Sequence, residues 1–217
     1  EAIIAVGFVR DNLVVYCERS TWQLRYTGRS IAPFQIEKVN AELGTESTFS
    51  AVQFDTSLVG IGDKGIVQCD SYKSERIDIK IPNLVFGFQN IENGNKRVHG
   101  IRDFQKKLAY WIYLDIYDGN VTDSEDSTIN YPNRRLVYNY ENDSWAIFDD
   151  SFTTLGTFQP VDAAKWQDYN APEDTWENQN DTWISRPALI RLIVGGNQQG
   201  YVEMLDQAVS NAVSLYI

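Results

Sequence analysis

The chain has 217 residues, 13% of them aromatic, and a formal charge of −11. That length suits one large all-β domain or two small ones, with a substantial buried core. The acidity excludes a sequence-reading nucleic-acid binder, which needs a basic face against phosphate, and no run approaches the roughly 20 apolar residues of a membrane-spanning helix.

From the start of the chain, IIAVGFV (3–9), LVVYCE (13–18) and TWQLRYTG (21–28) are short runs rich in Val, Ile, Thr and aromatic residues. Such runs favour strands, and PFQIEKV at 33–39 offers a fourth. The opening EAIIAVGFVRD has neither an initiating Met nor the basic segment of a signal peptide. Together with the strand-like ending AVSLYI, it leads us to expect a processed product or a portion of a longer polypeptide.

A second unit follows with FSAVQF (49–54), LVGIG (58–62), GIVQCD (65–70) and ERIDIKI (75–81). Its centre, Leu58–Asp70, has the grammar of a β-hairpin: an apolar run ending in Gly, polar turn residues, Gly again, an alternating run and a closing Asp. Leu192–Asp206, LIVGGNQQGYVEMLD, repeats that grammar. Turns are predicted near 63–65 and 197–200. Equivalent points in the first two units, Thr21 and Gly65, lie about 44 residues apart, the size of one four-stranded propeller blade.

The third unit has VHGIRDF (98–104), KLAYWIYLDIY (107–117), RRLVYNYE (134–141) and SWAIFDD (144–150), interrupted by the polar insertion 118–133. The fourth has FTTLGTF (152–158), a long insertion spanning 160–188, then LIRLIVGG and GYVEMLD. EMLDQAVSNAV (203–213) has some helical spacing, but it continues the hairpin arm and reads as strand, turn, strand. The predicted fold is all-β: a single β-propeller domain or propeller segment of about four four-stranded antiparallel blades. Periodicity leaves a β-sandwich open as the alternative.

Little in the sequence points to chemistry. Cys17 and Cys69 fall in predicted strands and read as buried thiols of a reducing compartment. The Asn-Xaa-Ser/Thr sites at Asn120, Asn142 and Asn180 carry no weight without a secretory signal. His99 is the single histidine, with no second His or closely spaced Cys to build a metal site, and no Gly-x-Ser-x-Gly elbow is present. Gly195–Gly200 superficially resembles a phosphate loop but precedes a strand instead of a helix, so a turn is expected. The acidic groups Asp149–Asp150 and Asp123, Glu125 and Asp126 are the carboxylates open to a glycoside hydrolase. The loop 118–126 could bind Ca²⁺ through oxygen ligands but lacks the EF-hand pattern, and a solvated loop is the expectation. No metal and no cofactor are expected.

NLVVYCERSTWQLRYTG (12–28), TFSAVQFDTSLVGIGDKGIVQCD (48–70) and KWQDYNAPEDTWENQNDTW (165–183), the last followed by LIVGGNQQGYV, resemble β-propeller structural proteins of tailed-bacteriophage virions. These are head-to-tail connector and tail nozzle or muzzle proteins of short-tailed and crAss-like phages. The resemblance implies a non-enzymatic virion protein in the tail or at the head–tail junction. It would assemble as a ring of copies with other virion proteins around the DNA conduit used for ejection. An acidic wall facing that conduit would repel the duplex and let it slide. Family members are usually longer, which leaves open whether four units close a ring or form an arc.

The tryptophan-bearing insertion has two readings. Its candidate contact residues Trp166, Tyr169, Trp176 and Trp183 either pin the arm to its own blade or bury it against a neighbouring subunit. A glycan- or receptor-binding propeller using the same aromatic platform is the alternative function, with a glycoside hydrolase as a weaker one.

Overall fold

The computed structural model describes residues 1–81, 84, 98–115, 131–149, 152–158, 192–197 and 200–205. Over these residues the chain is all-β, with four separate antiparallel sheets and one 3-10 turn at Thr48–Ser50. Sheet 1 comprises β1 (Ile3–Val9), β2 (Asn12–Cys17), β3 (Thr21–Tyr26) and β4 (Phe34–Asn40). Sheet 2 comprises β5 (Val52–Gln53), β6 (Leu58–Gly62), β7 (Gly65–Cys69) and β8 (Ser74–Arg76). Sheet 3 comprises β9 (His99–Asp103), β10 (Leu108–Tyr113), β11 (Arg134–Asn139) and β12 (Ser144–Phe148). Sheet 4 has three strands among the described residues: β13 (Thr154–Phe158), β14 (Leu192–Gly196) and β15 (Val202–Met204). Within every sheet, spatial order follows chain order, so each is a simple meander.

The two hairpins that organise the sequence are present. β6 and β7 pair from Leu58↔Cys69 to Gly62↔Gly65 around a two-residue turn, Asp63–Lys64. β14 and β15 are joined through Asn197 and Gly200, where Asn197 N–H donates to the Tyr201 carbonyl at 3.0 Å and Gly200 takes φ +84°. Other strand ends close by a shared device. The side-chain oxygens of Asn40, Asp70, Asp103 and Asn139 each accept from a backbone N–H two or three residues on. This Asx geometry makes Asp and Asn turn formers.

Several predicted strands are shorter than expected: KLAYWIYLDIY stops at Tyr113, and FSAVQF and ERIDIKI are shortened most. FSAVQF contributes the 3-10 turn and only Val52–Gln53, because Ser50 uses its hydroxyl locally. It donates to the Ser47 carbonyl at 2.8 Å and accepts from Ile61 N–H at 3.2 Å, competing with ladder formation. ERIDIKI keeps strand structure only to Arg76. Asp78 is fully buried and takes two hydrogen bonds from Arg76, while its carbonyl accepts from Ile81 N–H in a turn.

Consecutive sheets stack face to face, and strand alternation decides which side chains fill each layer. Ala5, Val9, Val14 and Tyr16 of sheet 1 meet Leu58, Val67 and Cys69 of sheet 2. The opposite face of sheet 2, with Val59, Ile61 and Ile66, meets Ala109, Trp111, Tyr113, Leu136 and Tyr138 of sheet 3. Tyr110, Ile112 and Val137, from the other side of those same sheet 3 strands, meet Leu155 and Ile193 of sheet 4, with Phe152 and Leu205 beside them. Fully burying a large apolar side chain contributes roughly 1.5–3 kcal/mol, so these layers are the main source of stability. The middle sheets are buried on both faces, and this series of four sheets is not a two-sheet sandwich. Between sheets, the closest backbone approaches run from β1 to β5 and β6, from β5 to β9, and from β9 to β13. The first strand of each meander therefore lies on the side where neighbouring sheets converge.

Polar bonds seal the layers. Tyr16 donates its hydroxyl to the Leu58 carbonyl at 2.7 Å between sheets 1 and 2. Trp111 donates Nε1–H to the Ser50 carbonyl at 2.9 Å, tying sheet 3 to the turn that opens sheet 2. Both aromatic polar atoms are thus satisfied inside the core, as buried donors require.

Candidate functional site

Trp166, Tyr169, Trp176 and Trp183 lie outside the described residues, as do Asp123, Glu125, Asp126 and Asp150. Asp149 is described, and its exposed carboxylate lies 3.8 Å from Arg134. His99, at the start of β9, stacks on Phe49 with ring centroids 5.7 Å apart. Its Nδ1 is buried without a hydrogen-bond partner, and burial lowers the imidazole pKa. Among the described residues no group of three His, Cys, Asp or Glu side chains gathers as a metal site would. Cys17 and Cys69 are both buried free thiols, and burial raises Cys69 to about 11, which keeps it protonated and unreactive. Gly195 sits in the middle of β14, and a Cβ there would fall 2.5 Å from the Phe152 ring. The glycine serves close packing.

Two arginines that carry no local motif in the sequence are built into the fold. Arg102 of β9 reaches across to sheet 2, where its guanidinium meets both oxygens of Asp55 at 3.0 Å. It also lies 4.1 Å from the Phe104 ring centroid, 4.8 Å from Tyr140 and 5.0 Å from Phe54. A planar, weakly hydrated cation suits such an aromatic enclosure. Hydrogen bonding to Arg102 holds the Asp55 carboxyl below the usual carboxylate range. Arg76 pairs with the buried Asp78 at 2.9 Å across the mouth of the β6–β7 hairpin. The Gly of that hairpin leaves room for the pair: Gly65 has φ +141°, and a Cβ on it would lie 2.6 Å from both Arg76 Nε and an Asp78 oxygen. Both arrangements lock sheets and turns, and neither presents a nucleophile or a proton donor to a cleft.

Among the described residues, the face of sheet 1 turned away from sheet 2 has no covering sheet. Alternation and register put Val6 and Phe8 of β1, Leu13 and Val15 of β2, Trp22, Leu24 and Tyr26 of β3, and Phe34 and Ile36 of β4 on this side. Val6, Phe8, Tyr26, Phe34 and Ile36, with Ile3 beside them, are 56–68% exposed. A hollow of about 470 Å³ opens among Ile3, Val15, Trp22, Leu24 and Ile36. Charge is confined to its border. Lys38 Nζ lies 4.6 Å from the Trp22 ring, and Ser20 links Trp22 to Glu1, accepting from Nε1–H at 2.8 Å and donating to the carboxylate at 2.6 Å. Exposed apolar faces of this extent are uncommon on protein surfaces. The sequence carried a signal for it. IIAVGFV and LVVYC are nearly continuous apolar runs, the pattern of strands covered on both faces.

No protein-family model matches the chain, and no curated protein matches it.

Proposed function

We propose that the chain is a β-propeller, or a segment of one, serving as a non-enzymatic structural component of a bacteriophage virion. Its place would be the tail or the head–tail junction, where copies assemble as a ring around the DNA conduit. The observation that carries the architecture is the series of meanders stacked in chain order with their first strands on the converging side. Blades around an axis have this arrangement. The broad apolar face of sheet 1 and the charge of −11 support an assembling protein that engages protein surfaces and does not grip duplex DNA. The virion assignment rests on the sequence resemblance of residues 12–28, 48–70 and 165–183.

The test is immunogold labelling of purified particles from the phage that carries the gene, paired with electron microscopy of the isolated protein. Label at the tail or neck and ring-shaped projections are expected. Particles free of label, or tight duplex binding that weakens steeply with salt, would overturn the reading.

A glycan-binding module is the second reading. It is favoured by a recess of about 550 Å³ at the tip of the β3–β4 hairpin, lined by Arg25, Tyr26, Arg29, Phe34 and Gln35. Guanidinium and amide donors beside aromatic rings suit an acidic sugar. Binding on a glycan array that is lost in Arg25→Ala/Arg29→Ala would move the assignment to it.

A further inference from the structure

We infer that the free face of sheet 1 is the docking surface for a second copy of this chain, which seats its sheet 4 there. The inference rests on the reading of the chain as an assembling stack of meanders and names the surfaces through which copies join. Each junction inside the chain is made in one way: the leading face of one meander covers the trailing face of the next. Among the described residues two faces in that series have no mate, the trailing face of sheet 1 and the leading face of sheet 4.

The second of these is apolar as well. Ile193 and Leu205 point into the layer shared with sheet 3. Alternation therefore turns Leu192, Val194, Val202 and Met204 to the other side, with Gly156 and Val194 in register with Met204. All four of those side chains are only partly buried. The two free faces have the same chemistry as the pairs already joined, and no charged side chain among the described residues stands in the middle of either. Lys38 and Glu1 sit at the rim of sheet 1, where water still reaches them.

Area points the same way. The half-dozen large side chains on sheet 1 that are more than half exposed present on the order of 800 Å² together, one partner's share of a standard stable interface. Among the described residues of one copy nothing covers these side chains, and the free face of sheet 4 on a second copy offers them a matching apolar surface. A contact between two different faces is head-to-tail, and it closes into a ring when the rotation per copy divides a full turn. Each copy is strongly acidic, so the contact must form at the uncharged faces. Screening of the remaining repulsion makes association tighter as salt rises from about 50 to about 500 mM.

The experiment is site-directed crosslinking with a short bis-maleimide on the full chain. Single variants Val6→Cys, on the free face of sheet 1, and Val194→Cys, on that of sheet 4, are treated alone and mixed, both in a Cys17→Ser background because Cys17 lines the hollow on that face of sheet 1; Cys69 is buried in the layer between sheets 1 and 2. The mixture is expected to give a crosslinked dimer, and each variant alone is expected to give none. Ile36→Glu, a change outside every packed layer, is expected to weaken self-association at least 100-fold by sedimentation while circular dichroism and melting stay as in the parent. Crosslinking of Val6→Cys with itself would show a face-to-itself contact and overturn the inference. So would intramolecular crosslinking of Val6→Cys/Val194→Cys, which would mean that one chain closes on its own. A chain that is monomeric at about 100 µM would overturn it too. Rings that persist in Ile36→Glu would overturn the inference alone and leave the proposed assembly standing on another surface.

Discussion

The junction between sheets 2 and 3 and the free face of sheet 1 are made of the same materials and differ in what covers them. At the junction, Val59, Ile61 and Ile66 lie against Trp111 and Leu136, all essentially inaccessible to water, and Trp111 spends its one donor on the Ser50 carbonyl. On the free face, Phe8, Phe34 and Ile36 stand on equally regular strands but meet no second sheet among the described residues. An apolar strand face is thus a connector, and its contribution depends on whether a partner is present. Substitutions at the covered junction should therefore cost stability, whereas those on the free face of sheet 1 should leave the fold of one copy intact.

The largest effect is expected at the covered junction. Trp111→Ala removes the biggest fully buried side chain and leaves a cavity between sheets 2 and 3. Urea unfolding should lose about 3–5 kcal/mol, near the total stability of many domains. A loss below about 1 kcal/mol would mean that the junction is not packed as described. Gly65→Ala comes next. Its added Cβ collides with the Arg76–Asp78 pair at a backbone angle that L-residues rarely adopt. Asp78 is fully buried but Arg76 is 35% exposed, so separating the pair costs less than for a fully buried one; with the strained turn the total is about 1–3 kcal/mol. A crystal structure of the variant with the pair intact would refute this account of the glycine.

How far these features could be read in advance depends on their range. Hairpins are local, and the spacing of LVGIGDKGIVQCD sufficed to locate β6, β7 and the turn at Asp63–Lys64. ERIDIKI misled because alternation was satisfied by Asp78, whose carboxylate turns inward to Arg76 instead of outward to water. Likewise FSAVQF has strand composition, yet Ser50 bonds within its own turn. Arg102 was passed over because its enclosure combines Phe54 and Asp55 with Tyr140, from two sheets far apart in sequence. The indole-rich arm, Trp166 to Trp183, lies outside the described residues, and the exposed apolar face is built from β1–β4.

Smaller effects sharpen the contrast within sheet 1 itself. Tyr16→Phe deletes only the hydroxyl that donates to Leu58 across the covered side. The expected cost is about 1–1.5 kcal/mol, read as a lower denaturant midpoint at constant slope. Phe8→Ser, on the uncovered side of the adjacent strand, should change the stability of the isolated monomer by no more than about 0.5 kcal/mol. Equal costs for the two would show that the outer face is already covered in solution.

The smallest expected effect is a pH dependence centred on His99. Burial holds its imidazole below the ordinary value near 6.5, so the folded chain resists a proton that the unfolded chain accepts. As pH falls through the unfolded value, the unfolded state binds more protons than the folded state, and stability declines until the folded imidazole also titrates. Asp55 and Asp70 have folded carboxyl pKa values below the usual range. Their contribution is complete above the unfolded carboxylate value and is lost as pH falls through the folded one, a window well below that of His99. Glu46 acts with the opposite sign: burial raises its pKa, so its protonation on acidification relieves a cost. Comparing the parent with His99→Gln isolates the imidazole from these carboxylates. Between pH 7.5 and 5.5 the denaturation midpoint of the parent should fall more than that of the variant. Because His99 is only partly buried and no ligand set gathers around it among the described residues, His99→Ala should leave any self-association intact. Parallel pH profiles for parent and His99→Gln would show that the imidazole titrates as it does in water, and that the Phe49 stack does not exclude solvent from it.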